Sequence, residues 1–97
     1  MSASAPGSDP SRIRHDLLQH LRTVKPDLPE DEAAARCIKL RRVLDSLDML
    51  EFIAFLEQNF TIRIQDSDVM SRNFETVDSV AAFVESKIQS AFQRAAE

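Results

Sequence analysis

The stretch of sequence that decides the fold is residues 45–60, DSLDMLEFIAFLEQNF. Its apolar side chains recur at the spacing of one helix face, which predicts an amphipathic helix over residues 46–59. The face predicted to lie against a core consists of Met49, Phe52, Ile53, Leu56 and Phe60. Asp45 and Ser46 stand where the preceding loop gives way to this helix, and both residue types favour helix starts.

Ser46 stands at the predicted N-terminus of this helix. A hydroxyl at a helix N-terminus faces solvent, beside free backbone N–H groups and the positive end of the helix dipole. Such a position suits a covalently attached phosphate. We therefore interpret Ser46 as a residue that is modified and then carries a group. The alternative is that Ser46 serves only as the N-cap of the helix.

The same helix carries a second apolar stripe, formed by Leu47, Leu50 and Ala54 and flanked by Glu51 and Glu57. An apolar stripe edged by acids suggests a docking surface for a partner. Equally, Leu47 and Leu50 could pack under the loop before the helix. Residues 43–62 contain no Lys or Arg, and their four acids are Asp45, Asp48, Glu51 and Glu57. Periodicity alone does not place Phe55.

Upstream, Asp9 as N-cap and Pro10 at the first helical position predict the start of a helix that Pro26 and Pro29 end. Its apolar face consists of Ile13, Leu17, Leu21 and Val24. Residues 1–8 are small and polar, and we expect a disordered tail. Residues 27–44 form a long connection that begins acidic and becomes basic. It holds at most a helical turn at residues 33–36.

Downstream, residues 60–64 predict an extended connection, followed by a short turn of helix at residues 66–70 capped by Asp66. Thr76 is a candidate N-cap for the last helix, whose apolar stripe is Val77, Val80, Ala81, Val84, Ile88 and Phe92. Residues 93–97 should fray. The prediction is an all-α domain at residues 9–92, a small four-helix bundle of three main helices and one short helix, with a long first loop.

Composition narrows the function classes. The net charge of the 97 residues is −4, which argues against nucleic acid as a partner. The chain has one glycine, which excludes glycine-rich phosphate loops and argues against a hairpin-rich fold. It has one cysteine, and residues 1–10 lack an apolar stretch, so we expect a cytoplasmic protein without membrane insertion.

Little else in the sequence suggests catalysis or a metal site. His15 and His20 are five residues apart, a spacing that does not place them on one helix face, and are interpreted as surface histidines. Cys37 has no ligand partner at metal-site spacing and is interpreted as a small buried residue. The basic segment, defined here as Arg36, Lys39, Arg41 and Arg42, is either a solvated loop face or an anion site. Ser46 has no neighbouring base, so a serine hydrolase is disfavoured and no catalytic residues are assigned.

Several of these residues together resemble the acyl carrier proteins. Asp45-Ser46-Leu47-Asp48, followed by Leu50-Glu51-Phe52, Leu56-Glu57 and Phe60, is similar to the second helix of that family. Phe74-Glu75-Thr76-Val77, with Val80 and Phe83-Val84, looks like the segment leading into its last helix. Ile64 and Asp66 fit the link to its short third helix. The resemblance covers roughly residues 10–88 in layout, and it is strongest at 45–84.

The resemblance implies a four-helix carrier domain whose serine, here Ser46 beside Asp45, is esterified by a 4′-phosphopantetheine arm taken from coenzyme A. A phosphopantetheinyl transferase attaches the arm, and its thiol holds acyl or aminoacyl groups as thioesters. Loading and acyl-transfer enzymes would dock on the second helix of a monomer. The residues implied for docking are Leu47, Asp48, Leu50, Glu51, Ala54 and Glu57.

One departure from the family pattern lies just before Ser46. The family usually has an acidic residue, Leu and Gly there, whereas this chain has Arg41-Arg42-Val43-Leu44. The added positive charge alters the surface beside Ser46. We therefore expect a specialised stand-alone carrier, in a secondary-metabolite, modified-lipid or aminoacyl pathway, with fatty-acid synthesis as the alternative.

Overall fold

The computed structural model describes residues 10–96, with side chains described for residues 11–90. This range contains six α-helices, one 3-10 helix and no β-strand, so the predicted all-α class is confirmed for the described residues. The elements are α1 (Pro10–Val24), α2 (Glu32–Arg36), α3 (Leu40–Val43), α4 (Ser46–Phe60), α5 (Asp66–Met70), the 3-10 helix (Arg72–Phe74) and α6 (Val77–Ala96). The predicted tail at residues 1–8 and the predicted cap Asp9 lie outside the described residues.

Helix α1 begins at Pro10, whose fixed φ suits the first helical position. It ends at Val24, two residues before Pro26, which has no N–H to continue the helix. One face of α1 is almost completely buried, and it consists of Ile13, Leu17, Leu18 and Leu21. The apolar spacing of the sequence therefore identified both the helix and the side that it turns to the core.

The connection between α1 and α4 has more helix than the sequence predicted. The helical turn expected at residues 33–36 is the end of α2, and α3 was not predicted. The reason is tertiary: Ala35 and Leu40 are each 1% exposed, and the N–H of Leu40 donates to the carbonyl of Glu75 at 2.9 Å. Buried apolar anchors and a backbone hydrogen bond to a distant residue stabilise turns that local propensity leaves undecided.

Helix α4 runs from Ser46 to Phe60, one residue beyond the predicted end. Its predicted core face is inside the protein: Phe52, Leu56 and Phe60 are buried, and Met49 and Ile53 are half-buried. The next residue, Thr61, has φ 55° and ends the helix in the left-handed conformation, which costs a β-branched residue about 1–2 kcal/mol. Beyond it, residues 62–65 belong to no helix or strand, and Ile62 and Ile64 are half-buried against the core.

Helix α5 lies at the predicted residues, but its predicted cap is wrong. Gln65 is the N-cap, and its backbone N–H donates to Oδ2 of Asp68 at 3.0 Å. The carboxylate of the third helical residue satisfies this end of the helix, so Asp66 is left as an ordinary residue of the first turn. No residue of α5 is buried.

Helix α6 starts as predicted, because Oγ1 of Thr76 accepts a hydrogen bond from the N–H of Ser79 at 3.2 Å. Its stripe of Val77, Val80, Ala81 and Val84 is buried, and Ile88 is half-buried. The side chain of Phe92 lies outside the described residues. The helix continues to Ala96, through most of the segment predicted to fray, where Gln, Arg and Ala are good helix formers.

The core is formed where α1, α4 and α6 meet. Phe74 is fully buried at its centre, with its ring edge-on to Phe52 at 6.2 Å and 5.7 Å from the ring of Phe83. Such aromatic pairs add to the stabilisation from burial alone. This packing fixes one face of α4 in the interior, and therefore fixes which residues of α4 remain on the surface.

Candidate functional site

Ser46 is exposed at the first position of α4, and its side chain has no hydrogen-bond partner among the described residues. The N-cap is Asp45, which is in the extended region and accepts a hydrogen bond on Oδ1 from the N–H of Asp48 at 2.8 Å. The alternative that Ser46 is itself the cap is therefore wrong. Because the side chain of Asp45 caps α4, the hydroxyl of Ser46 is not needed to cap the helix.

A groove of about 580 Å³ opens beside Ser46. One wall is α4 and the other is α5, and most of the lining is apolar. The lining residues are Arg41, Leu44, Asp45, Ser46, Met49, Leu50, Ile53, Asp66, Val69 and Met70. A flexible group attached to the serine would therefore find apolar surface next to its point of attachment.

The second apolar stripe of α4 is on the surface. Leu47 and Leu50 are each 64% exposed, and Ala54 is exposed as well. The alternative that both leucines pack under the preceding loop is wrong, because that loop is anchored elsewhere. Helix α2 packs against α1 and α6, and Leu40 of α3 donates its N–H to the carbonyl of Glu75. Met70 of α5 is 78% exposed, and with Leu47 and Leu50 it forms the set that we call the apolar patch.

The three acids predicted for docking, Asp48, Glu51 and Glu57, differ in what they contact. Glu51 is exposed, whereas the carboxylate of Asp48 lies 3.3 Å from Nζ of Lys25. Oε2 of Glu57 accepts a hydrogen bond from the N–H of Ile64 at 2.9 Å, in a partly buried position. Asp48 and Glu57 therefore have partners within the chain, while Glu51 remains available to another molecule.

The basic segment is mostly paired within the chain. Arg36 binds Asp78 through two hydrogen bonds of 2.8 and 3.2 Å, and Nζ of Lys39 lies 2.8 Å from Oε2 of Glu75. These contacts raise the pKa of Arg36 and lower the pKa of Glu75. Arg41 donates to the backbone carbonyls of residues 69 and 71. Three of the four cations therefore fasten the connection to the later part of the chain, which neither predicted interpretation described.

Exposed Arg42 is the exception within the basic segment. Its side chain has no hydrogen-bond or ion-pair partner among the described residues. It fits the prediction of a solvated loop face.

His20 is not a simple surface histidine. Its ring is half-buried and stacks on Phe55 at 4.3 Å between centroids, with Phe52 at 5.9 Å. Burial lowers the pKa of His20, and the charge of Glu51 partly opposes that effect. The stacking also gives Phe55, which periodicity did not place, a position between α1 and α4. His15 is exposed, as predicted.

Cys37 was predicted to be buried, and this prediction is wrong. The thiol is free and exposed, because Cys37 follows the last residue of α2 and its neighbours Ala35 and Leu40 occupy the interior instead. Among the described residues, no group of three or more His, Cys, Asp or Glu side chains is placed to hold a metal ion.

The sequence did not predict the groove. It depends on α4 and α5 lining the same space, and neither helix shows this in its own pattern. The available signal was the apolar pair Val69 and Met70 at the end of a short helix with three polar residues before it. An apolar pair at the end of such a helix is expected to contact something, and here it faces the groove beside Ser46.

Comparison with known proteins gives no relative. No protein-family model, no curated protein and no solved structure matches the chain. None of the helices within residues 10–96 combines the length and apolar character needed to cross a bilayer.

Proposed function

We propose that the protein is an acyl carrier protein that holds acyl or aminoacyl groups as thioesters on a 4′-phosphopantetheine arm attached to Ser46. It would present them to partner enzymes in fatty-acid, polyketide or other specialised biosynthesis. One observation carries the proposal: the hydroxyl of Ser46 is exposed and unpartnered among the described residues at the start of α4, on a groove lined mainly by apolar side chains.

Attachment of the arm is a phosphoryl transfer. Oγ of Ser46 attacks the phosphorus that bears the pantetheine group in coenzyme A, a P–O bond to Oγ forms, and the pyrophosphate P–O bond breaks. Adenosine 3′,5′-bisphosphate leaves, and the proton of the hydroxyl passes to a base of the transferase. The new phosphodiester is an anion at the N-terminus of α4, where the helix dipole stabilises negative charge.

The surroundings of Ser46 favour modification by another enzyme over catalysis by the chain itself. A serine nucleophile needs a base in hydrogen-bond contact, which in turn needs a group to orient it. Within the described residues, Ser46 makes no side-chain hydrogen bond, and both described histidines belong to α1. An external transferase supplies the missing base.

The helix arrangement is consistent with a carrier bundle. The three long helices α1, α4 and α6 surround a single core, and short α5 follows α4 over the groove. Ser46 begins the middle long helix, as the resemblance implies. The two further short helices, α2 and α3, occupy the long first connection and leave that order unchanged.

Docking of partner enzymes is proposed for the apolar patch and the acids beside it. Leu47 and Leu50 offer apolar area, and Glu51 and Asp45 provide negative charge on the same helix and at its start. Partners with a basic rim around an apolar contact would be steered to this face while binding weakly enough to exchange. Asp48 and Glu57, which are paired within the chain, would contribute less than Glu51.

The test of the proposal is a mass measurement. The purified chain is incubated with coenzyme A and a phosphopantetheinyl transferase of broad specificity, and its intact mass is determined. We expect a gain of one phosphopantetheine group, and no gain for Ser46→Ala. The hydroxyl of Ser67, exposed in the first turn of α5, provides a matched control, and Ser67→Ala should be modified like the natural chain. An unmodified natural chain, or modification of Ser46→Ala, contradicts the proposal.

A non-covalent interaction module is the second candidate, and the apolar patch favours it. Exposure of Leu47, Leu50 and Met70 would serve a binding protein without any arm. In that case Ser46→Ala leaves partner binding and biological activity intact, whereas Leu50→Ala weakens both. Genetic complementation by Ser46→Ala distinguishes this candidate from the carrier, which needs the hydroxyl.

A further inference from the structure

The side chain of Arg41 connects two elements that are distant in sequence. Its Nη2 atom donates to the carbonyl oxygen of Val69 and, at 3.3 Å, to that of Ser71. The carbonyl of Val69 lies in the last turn of α5, where a helix has no N–H groups of its own left to donate, whereas the carbonyl of Ser71 also accepts the N–H of Phe74 at 3.5 Å. An arginine is well suited to this position, because its cation also faces the negative end of the helix.

Helix α5 has few other means of staying in place. It has five residues, none of them buried, and isolated helices this short are unstable in water. Its main packing neighbour is the 3-10 helix, which follows it directly in the chain. Asp68 adds an ion pair with Lys87 at 3.6 Å. The position of α5 therefore depends on half-buried Val69, which packs against the core, and on a small number of polar contacts, two of which Arg41 makes.

The backbone that carries Arg41 is better anchored than α5. Leu40, its neighbour in α3, is 1% exposed and donates its N–H to the carbonyl of Glu75 at 2.9 Å. Leu44, at the end of α3, is buried and lines the groove together with Arg41. Arg41 thus joins a fixed point in the core to a loosely held helix.

That helix is one wall of the groove. Asp66, Val69 and Met70 line the groove from α5, opposite Met49 and Ile53 of α4. We propose that Arg41 is a positioning residue that holds α5 against the rest of the domain and so sets how far the groove beside Ser46 opens. The occupant of the groove is the acyl group carried on Ser46, and this part of the inference rests on the proposed function.

The first test measures opening of α5 directly and needs no arm. Amide hydrogen exchange of residues 66–74 is followed by NMR in the natural chain, in Arg41→Ala and in Arg42→Ala. Arg42 is the matched control, since it is adjacent in the same helix and has no partner among the described residues. We expect exchange to be roughly fivefold faster in Arg41→Ala, with its two lost hydrogen bonds, and unchanged in Arg42→Ala. Equal exchange in the two variants overturns the inference.

A second pair of variants keeps the test decisive if Arg41→Ala fails to fold. Arg41→Lys keeps the charge but replaces the planar guanidinium, whose Nη2 donates to both carbonyls, by an ammonium on a shorter and more flexible side chain. If Arg41→Ala unfolds, Arg41→Lys is compared with Arg42→Lys in the same measurement. Faster exchange of residues 66–74 in Arg41→Lys alone supports the inference, and equal rates overturn it.

The second test reads the groove itself. Ser46 is loaded with a phosphopantetheine that carries a fluorescent acyl group sensitive to solvent, and quenching by acrylamide is measured. We expect quenching to be roughly twofold stronger in Arg41→Ala than in Arg42→Ala, at an unchanged urea midpoint. Equal quenching refutes control of the groove by Arg41. If Ser46 cannot be loaded, the carrier proposal fails, while the exchange experiment still decides whether Arg41 holds α5.

Discussion

Two neighbouring regions of this protein use their charges and leucines in opposite ways. In the basic segment and its helices α2 and α3, three of four cations are bound to groups later in the chain, and Leu40 is buried. In the first half of α4, Leu47 and Leu50 are exposed, and Glu51 points to solvent. The first region therefore holds the fold together, while the second leaves its side chains exposed on the surface that we propose for docking.

The largest test of this comparison uses a matched pair of leucines. Leu40→Ala should lower the free energy of unfolding by about 3 kcal/mol, because it leaves a cavity at a fully buried site. Leu50→Ala should change it by less than about 0.5 kcal/mol, because Leu50 is already in contact with water. Both values come from urea unfolding followed by circular dichroism. A comparable loss in the two variants would mean that the side chain of Leu50 is packed against other residues and is not exposed.

A smaller effect separates two glutamates on α4. Glu57→Ala removes the acceptor of the Ile64 N–H and should cost about 1 kcal/mol of stability at this partly exposed site. Glu51→Ala removes an exposed carboxylate and should leave stability unchanged. The same urea experiment measures both. If Glu51→Ala proves the more destabilising of the two, Glu51 has a structural partner and is not available for docking.

The smallest effect is a pH dependence on the packed side of α4. The pKa of His20 is lowered below 6.5 in the folded protein because burial against Phe55 disfavours the cation. Since the unfolded chain binds this proton more readily, stability should fall as the pH drops through 6.5 and level off below the folded pKa.

His20→Gln tests that dependence and should remove it. The check is the urea midpoint of the natural chain and of His20→Gln, measured between neutral pH and mildly acidic pH. His15→Gln is the control, because His15 is exposed on the same helix. Identical pH profiles for His20→Gln and the natural chain would show that protonation of His20 does not affect the stability of the fold.

The sequence predicted best what depends on local pattern. The three long helices and short α5 were found, since apolar spacing and the signals at Pro10, Ser46 and Thr76 act within a few residues. The cap of α5 was wrong because two polar residues, Gln65 and Asp66, compete at its start. Here the geometry of Asp68 decides between them.

What the sequence could not predict depends on distant contacts. Arg36 meets Asp78 across 42 residues of chain, and a basic run gives no indication of such a partner. Burial of His20 and exposure of Cys37 likewise follow from how α1, α2 and α4 are arranged. The groove beside Ser46 belongs to two helices at once, so no single segment encodes it. The sequence predicted that Ser46 lies at the start of α4. The residues that surround its side chain could be identified only from the folded structure.

Exposure of Cys37 has a practical consequence. The chain has one cysteine, so a thiol reagent should count one accessible sulfur in the unmodified protein. A pantetheine arm would bring a second sulfhydryl, and the count would then report how much of a preparation is loaded. The same side chain is open to air oxidation, and pairs of molecules joined through it should form unless a reductant is present.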